Sequence, residues 1–152
     1  MNMDSFRLSF IILGDPRPLA LKRPRAVSIG GHARVYDPTA NRNAKEQIKT
    51  AAIAQGGQPA APAECPLGMT VKVFVPIPKS WSKKKQHAAT SETPTIFPTT
   101  RPDLDNIIKT VADALQHVFF RDDAQLCTVR ASKYYSKCPK LVVTIYQIAP
   151  EE

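Results

Sequence analysis

The sequence predicts a single α/β domain in which a small mixed β-sheet packs with two to three helices. Three observations lead there. The chain has 152 residues, room for one domain with a modest core. Stretches of alternating or continuous apolar residues at 6–12, 67–77, 126–135 and 141–148 read as strands. Apolar residues at three- and four-residue steps after position 38 and after position 103 read as helices. The resulting order, β, hairpin, α, β, α, α, β, β, fits helices laid on a mixed sheet. All of 1–152 is assigned to this one domain, with about 79–100 as a basic, partly mobile insertion.

Each element has a local reason. Phe6-Arg7-Leu8-Ser9-Phe10-Ile11-Ile12 alternates and then turns fully apolar, an opening strand stopped by Gly14-Asp15-Pro16. Ala26–Ile29 and His32–Tyr36 flank Gly30-Gly31, a hairpin signature. Asp37-Pro38 combines an N-cap residue with proline at the first helical position. The helix it opens runs to about Gln55 and turns Ala40, Ala44, Ile48 and Ala51 inward. Met69, Val71, Val73 and Val75 mark the next strand, which ends at Pro76-Ile77-Pro78. A short helix is expected from Ser80 to about Ala89, followed by a polar, proline-broken stretch to Thr100. The apolar stripe Leu104, Ile107, Ile108, Val111, Leu115 and Val118 defines a strong helix over 104–118. Two strands joined by Ser136-Lys137-Cys138-Pro139-Lys140 close the chain.

Composition excludes several classes. No apolar run approaches the roughly 20 residues of a membrane span, and the N-terminus lacks the basic region and cleavage site of a secretory signal. A cytoplasmic protein without a membrane role is expected. Three widely spaced cysteines and three histidines form neither a disulfide framework nor a zinc motif. Net charge is +8. Within 101–123, however, three cations face five aspartates, so that stretch carries −2 and the remainder +10. A basic body around a small acidic cluster suits a polyanion-cleaving metalloenzyme, because the cations engage phosphates while carboxylates hold a divalent ion. Candidate DNA contacts are Arg17, Lys22, Arg23, Arg25 and Arg34 near the N-terminus, Lys83, Lys84 and Lys85 beside Trp81, and Arg101. Trp81 can stack on a base or pack in the core; the sequence leaves both open.

The informative block is Arg101-Pro102-Asp103-Leu104-Asp105-Asn106-Ile107-Ile108-Lys109, continuing to Asp113 and Arg121-Asp122-Asp123. Each acidic residue has a plain structural explanation. Asp103 would cap the helix, Asp105 would favour its dipole by about 0.3–1 kcal/mol, and Asp105 with Lys109 would form an ordinary i,i+4 pair. Together they suggest more. If the strand after Asp123 lies beside the helix, Asp123 approaches Asp103 and Asp105, and three convergent carboxylates call for a cation. Lys109, one turn along, would offset negative charge developing on a phosphoryl group.

At these residues the sequence resembles the RusA family of Holliday-junction resolvases. The signature is Arg101-Pro102-Asp103-Leu104-Asp105-Asn106 with Lys109, then Asp113-Ala114-Leu115 and Asp122-Asp123-Ala124-Gln125. Pro78-Lys79-Ser80-Trp81-Ser82-Lys83-Lys84-Lys85 is similar to the family's middle segment, and the likeness extends from about Phe6 to Ile148. Gln116–Phe120 departs from the Asn-Gly type of turn that many relatives have there. The resemblance implies a homodimeric, Mg²⁺-dependent endonuclease that makes paired nicks in four-way DNA junctions, with Mn²⁺ as a possible substitute and no small-molecule cofactor. It implies catalytic and metal roles for Asp103, Asp105 and Asp123 and a catalytic role for Lys109. Asp122 and Asn106 are expected to support the ligands. A two-fold dimer would present one site to each of two symmetric strands, and the sheet edge or the C-terminal strands are the expected dimer surface. Two other functions stay open: a decayed or accessory DNA-binding protein, and a branched-DNA nuclease of broader specificity.

Overall fold

The computed structural model describes residues 5–20, 25–36 and 39–149, with backbone alone for parts of the hairpin. The expected contacts at Lys22 and Arg23 and the expected cap at Asp37-Pro38 lie outside the described residues. So do the side chains of Arg25 and Arg34.

The fold is a single small α/β domain with a mixed four-stranded sheet. Strand β1 is Arg7–Leu13. The hairpin strands β2, Arg25–Ile29, and β3, His32–Tyr36, form a separate two-stranded sheet. Its turn has Gly30 at φ 60° and Gly31 at φ 81°, the left-handed pair that a two-residue hairpin of this twist needs and that glycine adopts at least cost. Helix α1 spans Thr39–Gly56, β4 Leu67–Pro76, α2 Lys83–Thr90 and α3 Leu104–Leu115. Strands β5, Leu126–Ser136, and β6, Lys140–Gln147, follow.

The main sheet runs β1-β6-β4-β5. Strand β4 pairs parallel with β5 and antiparallel with β6, which pairs antiparallel with β1. The two closing strands therefore do not pair with each other. They flank β4, and the short connection 137–139 strides across its end.

The period-two pattern separates the two faces. Leu8, Phe10, Ile12, Met69, Val71, Val73, Leu141, Val143 and Ile145 are buried and join Ile48, Ile107, Val111 and Leu115 from α1 and α3 in one core. On α1 Ala44 and Ile48 are buried as expected, while at the two ends the buried residues are Asn41 and Ala52, with Ala40 and Ala51 half-buried. Ser82 caps α2, its side chain accepting the Lys85 N–H at 3.2 Å. The segment after α2 packs rather than standing clear of the body. Phe97 meets Tyr134 with ring centroids 5.9 Å apart, Pro98 is buried, and the Thr95 N–H donates to the Ala88 carbonyl.

Helix α3 stops three residues before the predicted Val118. Both Phe119 and Phe120 enter the core, at 2% and 0% exposure, and two adjacent positions cannot share one helical face with equal depth. The chain instead turns through His117 at φ 70°, a left-handed conformation that histidine tolerates better than most residues.

Candidate active site

The start of α3 is fixed from below by β5. The Lys133 ammonium donates to the Thr100 carbonyl at 2.8 Å and the Pro102 carbonyl at 3.0 Å, pinning the strap that carries Asp103. The Arg101–Pro102 peptide is cis. Asp103 occupies the N-cap with extended backbone, φ −77° and ψ 132°, yet its side chain makes no capping hydrogen bond. Asp105 lies in the first turn, and it forms no ion pair with Lys109 within 4 Å. Among the described residues, neither carboxylate has a hydrogen-bond or ion-pair partner, and Asp103, Asp105 and Lys109 are all exposed. The plain structural explanations thus fail for two of the features they were meant to cover. Asn106 is half-buried, and its carbonyl accepts the Thr110 hydroxyl at 2.7 Å.

Asp122 and Asp123 are held by a different device. Gln125 Oε1 accepts the N–H groups of Arg121 and Asp122, both at 2.9 Å, while its Nε2 donates to the carbonyls of Ala63 at 2.9 Å and Cys65 at 3.0 Å. Asp122 Oδ1 accepts the Ala124 N–H at 2.8 Å, completing a capping box with Gln125. The Ala124 N–H and a hydrogen bond shared with Asp123 keep the Asp122 carboxyl below the usual range. The same shared bond, then slight burial, then the charges of Asp122 and Asp113 hold the Asp123 carboxyl above it.

The chain does not bring Asp123 to Asp103 and Asp105. Strand β5 begins at Leu126, opposite Leu67, and Lys133, which holds the start of α3, stands seven residues further on, roughly 23 Å at about 3.3 Å per residue. The turn before Asp122 is tied to Ala63, with Ala63 N–H donating to Phe119 and Arg121 N–H to Ala63. It cannot return to the head of α3. Asp123 feels the charge of Asp113 instead, about 12 Å along the α3 axis from Asp105 at roughly 1.5 Å per residue. Among the described residues no three of His, Cys, Asp or Glu are placed to hold one metal ion. The expectation that the strand would carry Asp123 to the helix start within a single chain is therefore corrected. Asp113 itself faces Lys45 at 3.7 Å.

The basic residues are distributed unevenly. The ends of β1, β4 and β5, the start of β6, the head of α3 and the turn into α2 lie at one end of the sheet. Exposed Lys83, Lys84, Lys85 and Arg101 stand there with the Asp103–Asp105 pair. Arg17 is engaged, its Nε donating to Asp15 Oδ2 at 2.7 Å. Trp81 is half-buried, packs edge-on to Tyr135 at 4.8 Å and carries the Lys85 ammonium 4.2 Å from its ring centroid. It packs against the sheet. Sequence reasoning missed Lys133 and Gln125. Asp122-x-x-Gln125 has capping-box spacing and was readable; no local pattern marks Lys133.

An exposed pair of unpartnered carboxylates at a helix start, at the end of the sheet that also carries Lys83, Lys84, Lys85 and Arg101, is suited to phosphate chemistry. The family described as "Endodeoxyribonuclease RusA" matches residues 15–146, and the chain belongs to this family of DNA endonucleases. It is 34% identical over 142 residues to the uncharacterized protein YqaN of Bacillus subtilis (strain 168), covering 93% of this chain and 97% of that protein.

Proposed function

We propose that the protein is a Mg²⁺-dependent endodeoxyribonuclease that resolves four-way DNA junctions by paired nicks, acting as a homodimer. The observation that carries this reading is the Asp103–Asp105 pair, exposed and bound to nothing in a position where both carboxylates would ordinarily be used by the helix. Their hard oxygen donors fit Mg²⁺, with Mn²⁺ as a substitute. A divalent ion held there supplies positive charge to the phosphoryl oxygens and acidifies water. Lys109 lies on the same helix one turn on and offsets charge at the phosphate. Lys133 keeps Asp103 in place through Pro102.

Asp123 enters through the dimer. A two-fold axis that sets the α3 head of one protomer beside Asp123 of the partner subunit completes two equivalent carboxylate sites, one for each symmetric strand of a junction. The direct experiment compares cleavage of a synthetic four-way junction and a linear duplex of the same sequence, with and without Mg²⁺. Metal-dependent cutting restricted to the junction supports the reading. Cutting of both at the same rate points to a nuclease of broader specificity.

A second reading draws on the same separation of Asp123 from the pair: an accessory DNA-binding protein without catalysis. It predicts that calorimetric titration with Mg²⁺ or Mn²⁺ shows no specific binding.

No helix among the described residues is long and apolar enough to cross a membrane. We place the protein's action on DNA in the cytoplasm.

A further inference from the structure

The connection 137–139 crosses the end of β4 just where Pro76-Ile77-Pro78 leads that strand out of the sheet. The two segments cannot close on each other, and a cavity of about 310 Å³ remains between them, within the roughly 300–1,000 Å³ typical of ligand sites. Pro76, Pro78 and Pro139 stiffen its walls and offer no N–H donors. Donors come instead from Lys79 on one wall and Lys137 on the other. Both lysines are exposed, and among the described residues neither has an ion pair or hydrogen bond. No carboxylate lines the cavity. The Ser136 hydroxyl accepts the Cys138 N–H at 3.0 Å, which leaves its own proton to donate.

Two lysines without ion pairs, lining one proline-walled cavity, suit it to an oxyanion. Lys137 follows Lys133 by four residues, roughly 13 Å along the strand at about 3.3 Å per residue. Lys133 holds the head of α3. We infer that this cavity binds a backbone phosphate of the DNA strand that runs to the Asp103–Asp105 pair. The inference rests on the nuclease reading above and adds to it a gripping site, with Lys79 and Lys137 as positioning residues. Lys85 and Lys140 stand nearby but lie over the rings of Trp81 and Phe74, at 4.2 and 5.3 Å, so the cavity lysines are the less encumbered pair.

The test uses the full chain carrying Asp105→Asn, so that binding is measured without cutting. Junction affinity is followed against salt for this protein, for the same protein with Lys79→Ala and Lys137→Ala, and for a control with Arg7→Ala and Lys49→Ala. The control loses the same charge, Arg7 at the opposite end of the sheet and Lys49 on α1. The expected result is a logarithmic salt slope shallower by about 0.9 for the cavity pair, the value of one lost phosphate contact, and no change for the control. Acetylation of Lys79 and Lys137, read by mass spectrometry, should slow when junction DNA is added. An unchanged slope together with unchanged acetylation overturns the inference while leaving the nuclease reading standing. Protection by inorganic phosphate but not by junction DNA also overturns it, assigning the cavity to free anions. A parent protein that binds no junction at any salt overturns the nuclease reading, and the gripping site falls with it.

Discussion

At the residue scale, Asp103 and Asp105 stand out because they do less for the fold than their positions allow. An N-cap aspartate normally accepts a helix N–H, a bond whose loss costs about 1 kcal/mol. Asp103 has the backbone for it and leaves the carboxylate unused. Asp105→Asn is expected to reduce junction cleavage by about 10²-fold or more, the scale of removing one electrostatic group from a transition state. Junction binding should stay intact or tighten as a charge facing phosphate disappears; full cleavage by this variant removes the site from consideration. Lys109→Ala should lower kcat with little effect on KM, measured on the same junction. Arg17 and Asp15 give a separate, structural prediction. The hydrogen bond from Arg17 holds the Asp15 carboxyl below its ordinary range, so the folded chain binds that proton less tightly than the unfolded one. The stability this contributes is complete above the unfolded carboxylate range and is lost as pH falls through the folded value. With Arg17→Ala, the NMR titration midpoint of Asp15 should move up; an unmoved midpoint contradicts the pairing.

At the scale of elements, the question is what holds the start of α3 in place beside β5. Lys133 is half-buried and spends its ammonium on two carbonyls of the strap before α3. Lys133→Met should destabilise the fold by about 1–3 kcal/mol, the range for hydrogen bonds to a charged group, as read by urea unfolding. It should also slow cleavage by loosening Asp103; stability and activity both unchanged would show the strap to be held by other means. Local pattern carried much of this layer. The Gly30-Gly31 turn, the alternating β4 and the stripe on α3 each follow from spacing and residue type, and so does the start of α3 after Asp103, though its side chain leaves the cap unmade. Other features depended on partners far along the chain. That α3 ends at Leu115 follows from burial of both Phe119 and Phe120. That β4 lies between β5 and β6 follows from pairing across about 60 to 80 residues of sequence, to which a hairpin-length connector gives no clue. The contact of Lys133 with Pro102 has no sequence signature at all.

For the molecule as a whole, the incomplete carboxylate set is the fact that any account of function must meet. The family was legible in the sequence, since Asp-Leu-Asp-Asn with Lys109 is a local pattern. The meeting place of the acidic residues stayed open, because that depends on the direction of β5 relative to α3 and on the tie of the Arg121 turn to Ala63. With Asp123 toward the far end of α3, the described residues of one chain do not gather the three aspartates around one ion. The proposed homodimer would bring them together, and a mixture of two inactive variants tests that proposal most directly. Asp105→Asn and Asp123→Asn proteins are each expected to be inactive alone. If each site joins the Asp103–Asp105 pair of one protomer to Asp123 of the partner subunit, a mixed dimer carries both defects in one site and leaves the other intact. Mixing and re-annealing the two proteins with Mg²⁺ should then restore nicking of a four-way junction. A mixture that forms mixed dimers and stays as inactive as its parents contradicts the account.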